Sequence, residues 1–237
     1  MATQTLIAKR RFILYDDALA SHAGEELFSA SHWARHAALR AADGGRGNTW
    51  ILAVGSGEWV LRHYRRGGLV RHISRDYYLW QRLENTRPWR EWKLLAELYR
   101  EGLPVPQPVA AQVTRHGPAY RGDLITRLIP GTRSLAARLE DTSIEFLPWR
   151  KIGNCIRRFH NAGVYHADLN AHNILVDSHN DVYLIDFDRG ERRSPSVRWQ
   201  EANLKRLLRS LHKLAVPGLS VGYVWTVLLA GYNNKPG

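Results

Sequence analysis

The stretch that decides the fold is VYHADLNAHNILVDSHNDVYLIDFD, which runs from Val164 to Asp188. Residues 166–173 of this stretch form an H-x-D-L-x-x-x-N pattern, and the apolar run 174–176 follows directly. A polar turn and a second apolar run come next, and the second run ends at Asp186. Two short apolar runs joined by a polar turn predict a β-hairpin. Such a hairpin would bring the loop before its first strand close to the residue after its second strand.

The residues at the base of this hairpin point to a chemistry. A polar loop, a hairpin and a terminal carboxylate are the arrangement that kinases use for metal-assisted phosphoryl transfer. In that arrangement Asp168 orients the acceptor hydroxyl and takes its proton, whereas Asn173 and Asp186 coordinate Mg²⁺. We expect His166 to brace the loop and not to act as the base. The sequence leaves the role of Asp188 open, and a solvated loop with chance spacing is the alternative to the whole interpretation.

Length and composition are those of a folded protein. The 237 residues suit one domain or two intimately packed lobes, and 44% of them are hydrophobic and 24% charged. The single cysteine, Cys155, excludes an internal disulfide and a four-cysteine zinc site, and it fits a reducing cytoplasm. The N-terminus lacks a signal-peptide core, and no apolar run approaches the roughly 18 residues of a membrane-spanning helix.

The charge is the unusual global feature. The formal net charge of +12 suggests an anionic partner, such as nucleic acid, an acidic membrane surface or a phosphorylated substrate. Residues 61–75, LRHYRRGGLVRHISR, are densely basic and use arginine, which favours bidentate binding of phosphate or carboxylate. A solvated basic face is the alternative.

The N-terminal half supplies a candidate nucleotide site. Gly45 and Gly47 precede a predicted hairpin over residues 50–64, and their backbone amides could approach a phosphate closely. A plain turn is the alternative reading of these glycines. On the return strand Arg62 occupies the position at which kinases hold a phosphate-contacting lysine. Arginine keeps the charge there but changes the geometry.

A helix predicted over residues 86–102 carries an acidic residue on its apolar face. Glu91 shares that face with Leu94, Leu95 and Leu98. Because a carboxylate is costly to bury alone, it needs a cationic partner, and Arg62 is the natural candidate. A merely structural ion pair is the alternative to a role in nucleotide binding.

These features occur in the order typical of the protein-kinase-like superfamily. Eukaryotic protein kinases have lysine and glycine where this chain has Asn170 and Asp188, and no A-P-E segment follows. Both departures favour a small-molecule or lipopolysaccharide kinase over a protein kinase. More narrowly, the chain from about residue 44 to 210 resembles the 3-deoxy-D-manno-octulosonic acid (Kdo) kinase family. The segments that carry the resemblance are LRHYRRGGL, REWKLLAELYREGLPVPQPVAA, HADLNAHNIL, LIDFDRG and NLKRLLRS.

The resemblance implies a fold and a reaction. The expected fold is α+β and two-lobed, with a small antiparallel sheet and one helix in the N-lobe and a mainly helical C-lobe. We expect an N-terminal segment at 1–36, the N-lobe at 37–130 and the C-lobe at 131–237. The implied reaction uses ATP and Mg²⁺ to phosphorylate the 4-hydroxyl of Kdo on a lipid A precursor. The implied location is peripheral, on the cytoplasmic face of a Gram-negative inner membrane.

Two basic segments are candidates for contact with such an anionic glycolipid and the anionic surface around it. We expect Arg65, Arg66 and Arg71 to bind the acceptor head group. Residues 200–215 form a predicted basic amphipathic helix, which either lies on the membrane or packs against the second lobe.

Other functions remain compatible with the sequence. A different lipopolysaccharide or small-molecule kinase, for example one acting on heptose, would share every catalytic residue. A protein kinase is less favoured. A basic nucleic-acid-binding domain with a degenerate kinase fold is a further alternative, although no RNA-binding signature is present and no nucleic-acid partner is expected. The oligomeric state is open.

Overall fold

The chain divides into two compact units in a computed structural model. The structure describes residues 3–21, 24–36, 38–41, 49–65, 76–141, 147–214 and 217–234. The first unit comprises Met1–Glu97 and Pro106–Leu128, and the second comprises Leu98–Val105 and Ile129–Gly237. The short segment Leu98–Val105 therefore groups with the second unit, although its neighbours on both sides in the sequence belong to the first.

The first unit is built on one antiparallel sheet. Its strands are β1 (Thr3–Ala8), β2 (Arg11–Asp16), β3 (Leu39–Ala41), β4 (Thr49–Val54), β5 (Gly57–His63), β6 (Tyr78–Leu79), β7 (Pro108–His116) and β8 (Ala119–Arg127). Their order is β1-β2-β7-β8-β5-β4-β3, and β6 pairs with β8. The residues buried against the sheet include Leu52, Val109 and Ile125, none of which is exposed. The first two strands come from the N-terminal segment, so that segment is part of the sheet.

The β4–β5 hairpin fixes the position of Arg62. Val54 pairs with Gly57 across a two-residue turn, and Thr49 pairs with Arg62 at the other end of the hairpin. Gly55 in the turn has φ +55°, a conformation that glycine adopts without strain. The hairpin predicted over residues 50–64 is therefore confirmed.

The described helices of the first unit are α1 (Ala30–Arg35) and the start of α2 (Arg87–Arg100). The residues predicted to share the apolar face of α2 are buried: Leu94, Leu95 and Leu98 are 7%, 1% and 0% exposed. The helix ends before Gly102, which has φ +73° and whose N–H donates to the carbonyl of Tyr99. Glycine is the usual residue for this left-handed conformation after a helix.

The second unit is mainly helical. Its elements are β9 (Arg133–Ser134), α3 (Leu135–Asp141), α4 (Trp149–Asn161), β10 (Val164–Tyr165), β11 (Ile174–Val176), β12 (Val182–Leu184), β13 (Glu191–Arg192), α5 (Val197–Leu214) and α6 (Val221–Asn233). The predicted hairpin is confirmed, because Ile174 pairs with Leu184 and Val176 with Val182 in β11 and β12.

Helices α4 and α6 pack through two glycines. A Cβ on Gly153 would lie 2.0 Å from the carbonyl oxygen of Leu228, and one on Gly231 would lie 2.0 Å from that of Arg150. Any larger side chain would therefore force the two backbones apart. These glycines set the close approach of the helices at the centre of the second unit.

Helix α5 buries the apolar stripe that the sequence indicated. Leu204, Leu207 and Leu211 are 8%, 0% and 0% exposed, so this face packs inside the second unit and is not presented to a lipid surface. The packing alternative is thereby confirmed for this helix. Among the described residues, none of the helices combines the length and the apolar character that crossing a bilayer requires.

Candidate active site

In the first unit, Arg62 on β5 and Glu91 on α2 form the predicted ion pair. Nη2 of Arg62 lies 2.5 Å from Oε2 of Glu91. The glutamate is 2% exposed, whereas the arginine side chain keeps 24% of its surface accessible. A carboxylate buried this deeply needs a charged or hydrogen-bonded partner, and Arg62 supplies it. The guanidinium is thus held in one place while part of it stays reachable.

Tyr64 is a third member of this group, which the sequence reasoning missed. Its hydroxyl donates to Oε2 of Glu91 and accepts from Nη2 of Arg62 at 3.2 Å. The guanidinium of Arg62 also lies 4.7 Å from the centroid of the Tyr64 ring. Positions 62 and 64 project to the same side of an extended chain, and this spacing of two was the signal available in the sequence. Two contacts therefore restrict the rotation of Arg62.

Of the other residues predicted to bind ligands in the first unit, only Arg65 belongs to the part that the structure describes. Gly45, Gly47, Arg66 and Arg71 lie outside the described residues. Arg65 is described, and its Nε lies 3.7 Å from Oδ1 of Asp76. Its side chain is 45% exposed, so it is accessible to an anion but already has an acidic neighbour.

In the second unit, a buried histidine organises the loop that carries Asp168. Nδ1 of His166 accepts the backbone N–H of Asp168 at 3.2 Å. Nε2 therefore carries the proton, which it donates to the carbonyl of Ile185 at 2.9 Å. Burial lowers the pKa of His166 and is the largest influence on it. The hydrogen bond to Ile185 and the negative charges of Asp186 and Asp168 act in the opposite direction. A neutral imidazole with both nitrogens in use fits the bracing role predicted for His166.

Two side chains of helix α5 form hydrogen bonds with the loop that carries His166 and Asp168. Oδ1 of Asn203 accepts from the N–H of His166 at 3.2 Å, and Nδ2 of Asn203 donates to its carbonyl at 3.0 Å. Two turns further along the helix, Oγ of Ser210 accepts from the N–H of Ala171 at 3.1 Å. The sequence reasoning missed both residues; the available signal was an asparagine within the apolar stripe of an amphipathic helix.

The backbone of Asp168 is held while its carboxylate stays open. The side-chain Nδ2 atoms of Asn170 and Asn173 each donate to its carbonyl oxygen at 2.9 Å. The side chain of Asp168 is 55% exposed, and Oδ1 lies 3.6 Å from Nη1 of Arg206. Asp168 can therefore meet an incoming hydroxyl without any rearrangement of the loop.

Asn173 and Asp186 meet at the same end of the hairpin. The N–H of Ile185 donates to the carbonyl of Asn173 at 3.1 Å, which joins the loop to the residue before Asp186. The Nδ2 of Asn173 is engaged by Asp168, so Oδ1 is the atom it offers to a cation. Asp186 has φ +62°, a left-handed conformation that is costly for most residues and occurs frequently at functional sites.

These two side chains offer oxygen donors of the kind that Mg²⁺ binds. Mg²⁺ is usually held by one or two protein ligands and completes its shell with water and substrate phosphates. Across the part of the chain that the structure describes, no group of three or more His, Cys, Asp or Glu side chains is arranged to hold a metal. A site that relies on an amide, a carboxylate and a phosphate is compatible with that observation.

Phe187, between the two acidic residues of the D-F-D segment, anchors this region. It is fully buried, with its ring centroid 4.8 Å from that of His166 and 5.7 Å from that of Phe159. The aromatic packing ties the Asp186 backbone to the histidine that braces Asp168.

A cavity of about 450 Å³ opens beside Asp168 and lies wholly within the second unit. The residues that line it are Asp168, Asn170, His172, Arg206, Arg209, Ser210, Lys213 and Leu214. Apart from Asp168, its charged members are all basic. The cavity therefore presents one carboxylate within a positively charged wall.

The model of the family described as "Lipopolysaccharide kinase (Kdo/WaaP) family" matches residues 30–232. The chain belongs to this family. The Kdo/WaaP family model thus covers the Arg62–Glu91 pair, the Asp168 loop and the cavity alike.

Curated relatives of this Kdo/WaaP family member are similar over most of their length. A protein of Stenotrophomonas maltophilia (strain R551-3), described as 3-deoxy-D-manno-octulosonic acid kinase, is 48% identical over 202 residues, which are 85% of this chain and 80% of the relative. A protein of the same description from Xanthomonas campestris pv. campestris (strain B100) is 46% identical over 203 residues, again 85% and 80%. The resemblance stated from the sequence motifs is therefore confirmed.

Among solved structures, one described as WaaP in complex with acyl carrier protein has a TM-score of 0.57 and 16% sequence identity. The similarity covers 94% of this chain and 89% of that one. It confirms the predicted α+β, protein-kinase-like fold.

Proposed function

We propose that this protein transfers a phosphoryl group from ATP to the 4-hydroxyl of Kdo on a Kdo-lipid A precursor. The observation that carries the proposal is an open carboxylate, Asp168, beside a cationic cavity, in a chain 48% identical to a relative described as a Kdo kinase. The sugar is itself a carboxylic acid and the lipid bears phosphates, so a positively charged wall suits this acceptor. The family membership supports the kinase class, and the ATP requirement and the hydroxyl position are parts of the proposal.

The residues of the first unit have a role at the nucleotide. Arg62, oriented by Glu91 and Tyr64, binds the ATP phosphates, and the segment with Gly45 and Gly47 supplies further backbone donors. Arginine binds phosphate oxygens through several N–H groups at once, which compensates for its departure from the lysine of other kinases. Restricting its rotation in advance lowers the entropic cost of binding.

The residues of the second unit have a role at the reacting groups. Asn173 and Asp186 would hold Mg²⁺, which would neutralise charge on the transferring phosphoryl group. Asp168 accepts a hydrogen bond from the 4-hydroxyl, orients it towards the γ-phosphorus of ATP and takes its proton as the new P–O bond forms. The bond between the γ-phosphorus and the β-phosphate oxygen breaks in the same step, and ADP is the leaving group. His166 stays neutral and keeps the loop in place.

The acceptor suggests where the protein works. We place it on the cytoplasmic face of the inner membrane, bound peripherally through basic side chains that face anionic lipid. The prediction that Arg65, Arg66 and Arg71 contribute to binding the head group stands as part of this proposal. Charge reversal at these positions is expected to raise the Michaelis constant for the lipid acceptor, and an unchanged constant would count against it.

Product analysis tests the proposed reaction. Purified protein is incubated with ATP, Mg²⁺ and a Kdo-lipid A precursor, and mass spectrometry with fragmentation assigns the added phosphate. We expect one phosphate on carbon 4 of Kdo. Asp168→Asn is the matched control, because the hydrogen bonds from Asn170 and Asn173 go to the main-chain carbonyl of Asp168 and are kept.

The same assay separates the competing kinase functions. A heptose-containing core acceptor and a generic protein substrate are tested in parallel with the Kdo-lipid. Phosphorylation of heptose in preference to Kdo would replace the proposed acceptor while leaving the catalytic residues in their roles.

A further inference from the structure

Helix α5 carries a row of cations along the cavity beside Asp168. Arg206, Arg209 and Lys213 line the cavity, and their spacing of three and seven residues puts them on one side of the helix. We call these three residues the cationic face. Ser210, on the same side, holds Ala171 of the catalytic loop, so the cationic face is fixed relative to Asp168.

The cationic face is poorly neutralised within the protein. In the described residues, Arg206 has Asp168 as its acidic neighbour at 3.6 Å, and no carboxylate lies within 4.0 Å of Arg209 or Lys213. Lys205 on the same helix differs, since its Nζ lies 3.6 Å from Oε2 of Glu201 and it does not line the cavity. Like charges gathered on one wall repel one another, so an anion in the cavity would relieve an electrostatic cost.

The distances along the helix match the size of a sugar acid. At about 1.5 Å per residue, Arg209 lies roughly 4.5 Å and Lys213 about 10 Å along the axis from Arg206. In Kdo the carboxylate is attached to carbon 2, two ring atoms from the 4-hydroxyl. When the 4-hydroxyl contacts Asp168, the nearby carboxylate of the same sugar is within reach of Arg206 and Arg209.

We propose that the cationic face is the subsite for the acceptor's sugar carboxylate, with Arg209 as its specificity-determining residue. The inference rests on the proposed function and adds the group that recognises the acid. Arg206 binds the same carboxylate and also faces Asp168, so it contributes to both binding and chemistry. Lys213 lies further off and contributes less.

Steady-state kinetics of variants in α5 tests the proposal. Arg209→Gln is expected to raise the Michaelis constant for the Kdo-lipid acceptor about tenfold with little change in kcat. Arg209→Lys restores part of the affinity, because it returns the charge without the planar fork. Lys205→Gln is the matched control and keeps wild-type constants. Equal Michaelis constants for Arg209→Gln and Lys205→Gln would overturn the proposal.

An acceptor with its carboxylate converted to the methyl ester separates the carboxylate from the lipid phosphates. For this acceptor the wild type and Arg209→Gln should have the same Michaelis constant, because the anion that Arg209 binds is gone. A tenfold difference that persists with the ester would overturn the assignment to the carboxylate. If the wild-type protein formed no phosphorylated Kdo at all, the proposed function itself would be refuted. That result differs from unaltered Michaelis constants in the variants, which would refute only the carboxylate subsite.

Discussion

The side chain of Asn203 holds the main chain of His166 through both polar atoms of its amide group. Its Oδ1 accepts from the histidine N–H at 3.2 Å and its Nδ2 donates to the histidine carbonyl at 3.0 Å. Asn203 is 1% exposed, so neither contact has to compete with water. Helix α5 and the loop that carries Asp168 are thereby coupled, and the helix that lines the cavity beside Asp168 also sets the position of that residue.

Replacing Asn203 is expected to cost both stability and turnover. Asn203→Ala leaves the buried N–H and C=O of His166 without partners, which should lower the free energy of unfolding by about 2 to 3 kcal/mol. Because the loop then moves, we expect kcat to fall more than ATP affinity does. Urea unfolding and steady-state kinetics measure the two effects. Lys205→Ala, exposed on the same helix, should change neither, and an Asn203→Ala protein with wild-type kcat would contradict the coupling.

Two buried histidines make the fold sensitive to acid. Burial lowers the pKa of His160 to about 4, with Arg157 and His166 acting in the same direction and Asn203 opposing them, and burial likewise lowers the pKa of His166. The unfolded chain therefore binds protons below about pH 6.5 that the folded chain does not. The free energy of unfolding should be level between about pH 7.5 and 8 and decline as the pH falls below about 6.5, by up to ~1.4 kcal/mol per pH unit for each histidine.

Urea unfolding from pH 8 to pH 5 measures this decline. His160→Asn removes one of the two groups, so its stability should depend less steeply on pH between 6.5 and 5 than that of the wild type. A wild-type stability that stays level down to pH 5 would contradict the account.

The Arg62–Glu91 pair is expected to act on ATP. Glu91→Gln keeps the shape of the side chain but removes the charge that orients the guanidinium, so we expect the Michaelis constant for ATP to rise about tenfold. Glu58→Gln provides the control, since Glu58 pairs with Arg40 at 3.0 Å on the same sheet with both side chains well exposed. Unchanged ATP kinetics in Glu91→Gln would mean that the ion pair is structural only.

Asp186 is expected to be required for the metal and not for the fold. Asparagine tolerates the left-handed conformation of this residue, so Asp186→Asn should unfold at the wild-type temperature. Loss of the carboxylate should abolish phosphoryl transfer and the Mg²⁺ dependence of ATP binding. Calorimetric titration with ATP in the presence and absence of Mg²⁺ measures the second effect. Asp181→Asn, in the exposed turn of the same hairpin, serves as the control, and turnover near wild type in Asp186→Asn would disprove the role.

Local patterns predicted the parts whose cause is local. The β11–β12 hairpin follows from two apolar runs and a polar turn, and the buried face of α2 follows from a repeat of three and four residues. The need of Glu91 for a cation follows from the cost of burying a lone carboxylate, so the sequence alone predicts Arg62 as its partner.

Other contacts depend on residues that are far apart in the chain. Tyr64 contacts both Arg62 and Glu91, and the spacing of residues in the sequence does not by itself determine that its side chain points towards them. The sequence does not reveal the role of Asn203, because its hydrogen bonds reach 37 residues back along the chain. Helix α5 was expected either on a membrane or packed in the second lobe, and its burial decided between the two.

The sequence by itself determined which chemistry to expect: the order and spacing of Asp168, Asn173 and Asp186 predict phosphoryl transfer, since this chemistry depends on residue types at the ends of one hairpin. Only the tertiary structure decided the tautomer of His166, the hydrogen bonds between α5 and the loop that carries Asp168, and the cationic wall beside Asp168. These depend on burial and on contacts between distant segments, and both exist only once the chain has packed.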